Sequence, residues 1–283
     1  TLTNSTLYSN TPSTGGGGGI HVYNSTLSSD LVSYLADDLD LYPTIQAAIK
    51  AAGDSDTIKI APGTYRENLT VDKSLNFMPW SDTGAVIVDG NQRNRVFTIT
   101  GANVTMTGLT IQSGKASGNN NGGGISIGET STVKLSHVNV RNNSATNAGG
   151  IFCQGKLTIE SSSVISNSAQ WGGGIGIHNT GVVTLTNSTV YSNTATSDGG
   201  GGIDNNGTLT VAKSTIDNNT ATGKENSGGG GIRNAGTLII TDTATLSENK
   251  ASWGGGLWNH SDGEVTLTNS AIRNNDATSG GGG

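Results

Sequence analysis

The stretch GGGGIRNAGTLIITDTATLSENKASWGGGL, residues 228–257, decides how the chain is read. Four glycines lead into Ile232, and after one further unit three glycines lead into Leu257. A loop that brings backbone to a ligand needs such a phrase once, so its recurrence points to a structural repeat. Aligned on the glycines, an apolar residue recurs at Ile20, Ile125, Ile151, Ile175, Ile203, Ile232 and Leu257, with gaps from Ile125 onward of 26, 24, 28, 29 and 25 residues.

A second phrase, Val/Ile/Leu-x-x-Asn, falls once in every unit. It pairs Leu7 with Asn10, Val140 with Asn143, Val164 with Asn167, Val190 with Asn193, Ile216 with Asn219, Leu246 with Asn249 and Ile272 with Asn275. The Asn precedes x-Ala in every unit but the first, where Pro12 replaces the alanine. Between these phrases lies a third, as in GTLTV (207–211), VVTLT (182–186) and EVTLT (264–268). In GTLTV, Leu209 and Val211 share one strand face and Thr208 and Thr210 the other. Three short strands per unit cannot bury an apolar face alone, so units must stack, each rising about 4.8 Å. The predicted fold is all-β, a parallel β-helix with three strands per coil. The glycines are expected at corners, where left-handed backbone costs them little. The asparagines Asn10, Asn143, Asn167, Asn193, Asn219, Asn249 and Asn275 are expected to stack as a ladder at an equivalent turn.

YPTIQAAIKAAG, residues 42–53, breaks the pattern. Pro43 suits a first helical turn, Ile45, Ala48, Ile49 and Ala52 share a face, and Gly53 suits a stop. This predicts one short capping α-helix, about ten residues long, over the first coil. Residues 1–20 closely match residues 184–203 and, in part, 266–283. Thr1 and Thr266, like Asn10 and Asn275, lie 265 residues apart. The expectation is a half-coil from a preceding or neighbouring unit at 1–27, a linker and cap helix at 28–56, and a β-helix domain at 57–283 ending mid-coil. Thr1 and Gly283 would then be assembly ends, completed by copies of the same unit head to tail.

The chain has 283 residues, 44 of them glycine, only 13% charged, with a net charge of −6. Scattered single Lys and Arg argue against nucleic acid as a partner, and the lack of an 18-residue apolar run argues against a spanning helix. The lone Cys153 has inward parity and reads as a buried thiol.

The paired GGGI and Val/Ile/Leu-x-x-Asn phrases resemble the repeats of polymorphic outer-membrane protein adhesins within the pectin-lyase-like superfamily. TIQAAI and DTIKIAPGTYRENLTVDKSL are similar to the opening of many secreted bacterial β-helix surface domains. The resemblance implies a right-handed helix and an extracellular, cell-surface structural role, as a unit of a filament, fibril or giant surface stalk with adhesive function.

Relatives of that superfamily that cleave acidic polysaccharides make a lyase or hydrolase the alternative. Such chemistry needs carboxylates converging on one face, with calcium for elimination. Outward positions after the glycine corner read His21, Ser126, Phe152, Gly176, Asp204, Arg233 and Trp258, with one carboxylate among them. Asp204 and Arg233 are expected to form an exposed ion pair, and His178 and His260 to lie coils apart. The acids Asp37, Asp38, Asp40, Asp54 and Asp56 match no calcium-loop spacing. No catalytic residue, metal site or cofactor is assigned. Rows of Thr-x-Thr (Thr1/Thr3, Thr184/Thr186, Thr208/Thr210, Thr266/Thr268), interrupted by Lys134, Lys156 and Ile239, leave an ice-binding solenoid as a further alternative. Nine sequons, at Asn4, Asn24, Asn68, Asn103, Asn142, Asn187, Asn206, Asn218 and Asn259, are candidate glycosylation sites. Trp171, Trp253 and Trp258 read either as shielding for the side of the solenoid or as a patch for a carbohydrate or cell-surface partner.

Overall fold

In the computed structural model, which describes residues 33–35, 41–118, 121–223 and 228–282, the chain is a parallel β-helix. Asn10, the half-coil at 1–27, and Thr1 and Gly283 lie outside the described residues. Four sheets of 11, 9, 8 and 6 strands run along the column, and the chain visits each in turn. One coil shows the pattern: Val182–Thr186 enters the 11-stranded sheet, Thr189–Tyr191 the 9-stranded, Thr194–Asp198 the 6-stranded and Ile203–Asn205 the 8-stranded.

The alternation of aliphatic and threonine residues sets the faces. Val183, Leu185, Leu209, Val211, Leu238 and Ile240 stack in register and are fully buried, while the threonines between them face outward. The expected strands form the three larger sheets. Regular coils add a fourth, short strand at the Asn-x-Ala phrase, first at Ser144–Asn147. Its small inward residue explains the phrase: Ala195, Ala221 and Ala251 make a buried column of their own, too narrow for larger side chains.

The glycine corners have two causes. The residue three before the corner's aliphatic residue takes the left-handed region, as at Gly172 (φ 65°) and Gly229 (φ 79°), and Ala148 holds φ 55° at the same place. The later glycines do not. A Cβ on Gly201 would stand 2.5 Å from the Gly230 carbonyl oxygen of the next coil, and one on Gly150 would stand 2.6 Å from that of Gly174. Close approach of stacked backbone, more than unusual dihedrals, therefore requires them.

The asparagine ladder is continuous from Asn143 to Asn275 among the described residues. Each Nδ2 donates to the Oδ1 of the next asparagine at 2.9–3.0 Å, and the same Oδ1 accepts the preceding backbone N–H. The second amide hydrogen goes to a carbonyl, as Asn193 to Val164 at 2.9 Å. The ladder asparagine is not itself left-handed; the residue before it is, as at Asn142, Ser166, Ser192, Asn218, Glu248 and Asn274. A second ladder, unmarked by any phrase, links Ser162, Ser188 and Ser214 through backbone N–H to hydroxyl bonds.

The helix α1 spans Ile45–Ala51, shorter than expected, because Thr44 rather than Pro43 opens it. Thr44 is extended, and its Oγ1 accepts the Ala47 N–H at 3.0 Å. The predicted face is buried. The Glu67 carboxylate accepts the N–H groups of Ile45 and Gln46, and Lys73 donates to the carbonyls of Lys50 and Ala52, so the first coil satisfies both helix ends. The Gln46 amide pairs with both backbone groups of Thr70, closing the free edge of the strand Leu69–Val71. Beside it, the stretch read as linker supplies the strands Ser33–Leu35 and Leu41–Tyr42, antiparallel to each other, the first also antiparallel to Thr57–Ile60.

The opposite end is different. Val265 and Leu267 sit in register over buried Leu238 and Ile240, yet are 38% and 47% exposed.

Candidate functional site

The repeating residues face inward or hold corners, so chemistry must be sought on the outer rows that do not repeat. The first outward residue after the corner, on the 8-stranded sheet, stacks Ser126, Phe152, Gly176, Asp204, Arg233 and Trp258 in register. Across the corner, the 6-stranded sheet aligns Asn147, Trp171 and Asp198. Between the two rows lies a cleft of 370 Å³ lined by both. Gly176 forms part of its floor, flanked by Phe152 on one side and Asp204 on the other.

The Phe152 and His178 rings meet edge to face across this floor, with centroids 6.3 Å apart. Trp171 is 41% exposed at the rim. Asn147 donates to the Oδ1 of Asn121 at 2.6 Å, and among the described residues its own Oδ1 accepts no hydrogen bond and Asn179 makes none.

Asp204 and Arg233 pair as expected, at 2.9 Å, but not exposed: their side chains retain 16% and 19% of their accessible surface. The register of adjacent strands brings them together, and Gly172 and Gly199 pack against Asp204, giving the burial that spacing alone does not reveal. Burial pushes the Asp204 carboxyl above the ordinary carboxylate range, while Arg233 pulls it back and Asp198 adds to the rise. Arg233 also donates to Asn206 at 3.1 Å and lies over the Trp258 ring, 5.5 Å from its centroid. His178 and His260 are on strands three coils apart in the 8-stranded sheet.

Asn205, Asn234 and Asn259 form a further ladder, with Nδ2 to Oδ1 distances of 2.6 and 2.7 Å. Sequence reasoning missed it, although the triplets IDN, IRN and LWN at 203–205, 232–234 and 257–259 carried the signal.

Of the sequons, Asn4 and Asn24 lie outside the described residues. Asn68, Asn103, Asn142, Asn187, Asn206, Asn218 and Asn259 are all exposed. The Nδ2 groups of Asn68, Asn218 and Asn259 donate within the protein. Those of Asn103, Asn142, Asn187 and Asn206 do not, among the described residues.

Cys153 is buried, and burial pushes its thiol up to about 12. Asp37, Asp38 and Asp40 lie outside the described residues; Asp54 and Asp56 accept the N–H groups of Ser74 and Gly53 as loop anchors. No group of three metal-capable side chains occurs among the described residues, and no helix there is long and apolar enough to cross a membrane. Register splits the threonines into separate rows. Thr158, Thr184 and Thr210 are contiguous between Lys134 and Ile239, and Lys156 belongs to the neighbouring row with Thr132 and Val182. Lys134 reaches Glu160 at 3.1 Å, laying an ion pair across that surface.

Comparison with known proteins finds no matching family model, no matching curated protein and no matching solved structure.

Proposed function

We propose that the chain is a structural unit of an extracellular β-solenoid column, a filament or surface stalk whose units stack head to tail, with adhesion as its role. One observation carries this reading. Coils stack in unbroken register along the 11-stranded sheet, and Val265 and Leu267 continue the inward column of Leu238 and Ile240, so that a further coil would bury them. Removing from water the 38% and 47% of the two side chains still exposed stabilises association by roughly 1–3 kcal/mol. The 265-residue offset between matching segments supports the same reading. No enzymatic step is part of this proposal.

Imaging of the native material and sedimentation of the purified chain test it. Fibres with an axial repeat of about 45 Å, from nine or so coils at the inter-strand spacing, are expected, together with concentration-dependent association that Leu267→Asp abolishes. A protein that stays monomeric at every concentration and forms no fibres in its native setting refutes it. So does cleavage of acidic polysaccharide by the purified chain.

A further inference from the structure

We infer that the cleft between the 6- and 8-stranded sheets binds an uncharged oligosaccharide, held by Trp171, Phe152 and His178 with the amides of Asn147 and Asn179. This names a ligand for the adhesive role and rests on the extracellular reading above, but the site is argued from its own geometry. The face of a pyranose ring carries slightly positive C–H groups that suit the negative face of an aromatic ring, while its hydroxyls need donors and acceptors in the ring plane. The cleft offers both.

Trp171 keeps 41% of its surface exposed, although large apolar rings gain by burial. Trp253, as exposed at 42%, and the half-buried Trp258, neither of which lines the cleft, lie against glycines: a Cβ on Gly280 would stand 2.7 Å from the Trp253 ring, and one on Gly228 would strike Trp258. For Trp171 the partner position on the next coil is Asp198, which offers no such seat.

The floor is open for a reason. Gly176 stands where neighbouring coils carry Phe152 and Asp204, and a Cβ there would come within 2.9 Å of Ala148 and 3.5 Å of Phe152. The pit is thus one residue wide and two coils tall, about 10 Å, the span of one or two sugar rings. Two side chains beside it, Asn179 and His178, keep polar atoms without a partner among the described residues. Asn179 makes no hydrogen bond among the described residues, and the only hydrogen bond of the His178 ring there is from Nδ1, to Thr180.

Charge selects the class of sugar. Asp204 is compensated by Arg233 at 2.9 Å, so the pit has no net charge to draw in an ion. Asp198, beside the site, would repel a uronate.

The test titrates the full-length chain, by calorimetry and tryptophan fluorescence, with oligomers of glucose, mannose, galactose and N-acetylglucosamine, and with oligogalacturonate as the charged comparison. At least one uncharged series is expected to bind, with oligogalacturonate about tenfold weaker or worse. Trp171→Ala and Asn179→Ala should each weaken binding by about tenfold with an unchanged melting temperature, whereas Trp253→Ala should bind as the unaltered chain does. No binding of any uncharged oligomer at about 10 mM, full binding by Trp171→Ala, or equal binding of oligogalacturonate overturns the inference. Leu267→Asp, which removes assembly, is expected to bind sugar normally, so failure of the stacking proposal and failure of this one are read separately.

Discussion

Asn193→Ala removes the middle rung of the asparagine ladder, and its cost can be worked from the bonds lost. Asn193 is fully buried, and its amide makes four hydrogen bonds. The Asn219 Oδ1 keeps a donor, because the backbone N–H of residue 193 still reaches it at 2.9 Å. The backbone N–H of Asn167 and one of that residue's amide hydrogens are left without partners, whereas the Val164 carbonyl keeps its place in the strand pair with Val190. At about 1–3 kcal/mol for each buried unsatisfied group, and with a water able to enter the vacated space, the expected loss is about 3–5 kcal/mol. That is a large part of the 5–15 kcal/mol typical of a domain. The control is Asn275→Ala, at a rung only half-buried, where solvent replaces the lost bonds; its cost should stay under about 1.5 kcal/mol. Urea unfolding gives the difference, and native-state hydrogen exchange should show faster opening centred on the Asn167 amide. Equal effects of the two substitutions, or no acceleration at Asn167, would refute the view that the buried ladder holds the coils together.

Three further outcomes follow from the same geometry. Gly201→Ala should destabilise by about 1–3 kcal/mol, because its Cβ would meet the Gly230 carbonyl, whereas Gly118→Ala, with open space around it, should cost no more than the 1–2 kcal/mol of a left-handed alanine; thermal melts distinguish them. Cys153 should resist thiol reagents at pH 8 in the native chain and react at once when unfolded. Its raised thiol means the native state holds the proton more tightly, so this contribution to stability is whole below the unfolded thiol range and is lost as pH rises towards about 12. Arg233→Ala leaves the largely buried Asp204 uncompensated and should cost about 3 kcal/mol at pH 7. Because the Asp204 carboxyl already lies above its ordinary range, the native state favours the protonated form. The loss should therefore shrink on acidification, as denaturation at pH 7 and pH 4 would show.

Much of the fold was legible because the repeated residues answer to one constraint each. Leu209 and Val211 alternate with threonine because a strand has two faces, and Asn193 recurs because stacked corners offer it the same partners above and below. What was not legible depended on neighbours far away in sequence. The start of α1 shifted from Pro43 to Thr44 because the Glu67 carboxylate, in the first coil, accepts the N–H groups of Ile45 and Gln46. The fourth strand escaped notice because it is short and buries only alanine, which carries no β-pattern. The glycines were attributed to left-handed dihedrals, yet Gly150 and Gly201 are fixed by the carbonyl of the next coil, a contact no single unit contains. The cleft was not legible, since of the tryptophans Trp171, Trp253 and Trp258 only Trp171 lines it, and Trp171 and His178 converge through stacking rather than spacing.

That division has a physical basis. Residues that set the coil spacing must be nearly the same in every unit, because one coil out of register would break ladders above and below it. The outer rows bear no such constraint, since a side chain at position 176 or 204 meets solvent on one side whatever its neighbour does. Departures from the repeat are therefore where selection for something other than stacking can act. In the outward row from Ser126 to Trp258 no residue type occurs twice, and its one gap, Gly176, opens the cleft. In the neighbouring threonine rows the same freedom yields Lys134 and Ile239, which interrupt the surface. A regular column with an irregular, aromatic-lined pit is what a scaffold carrying a recognition site requires, and the irregularity rather than the repeat identifies where to look.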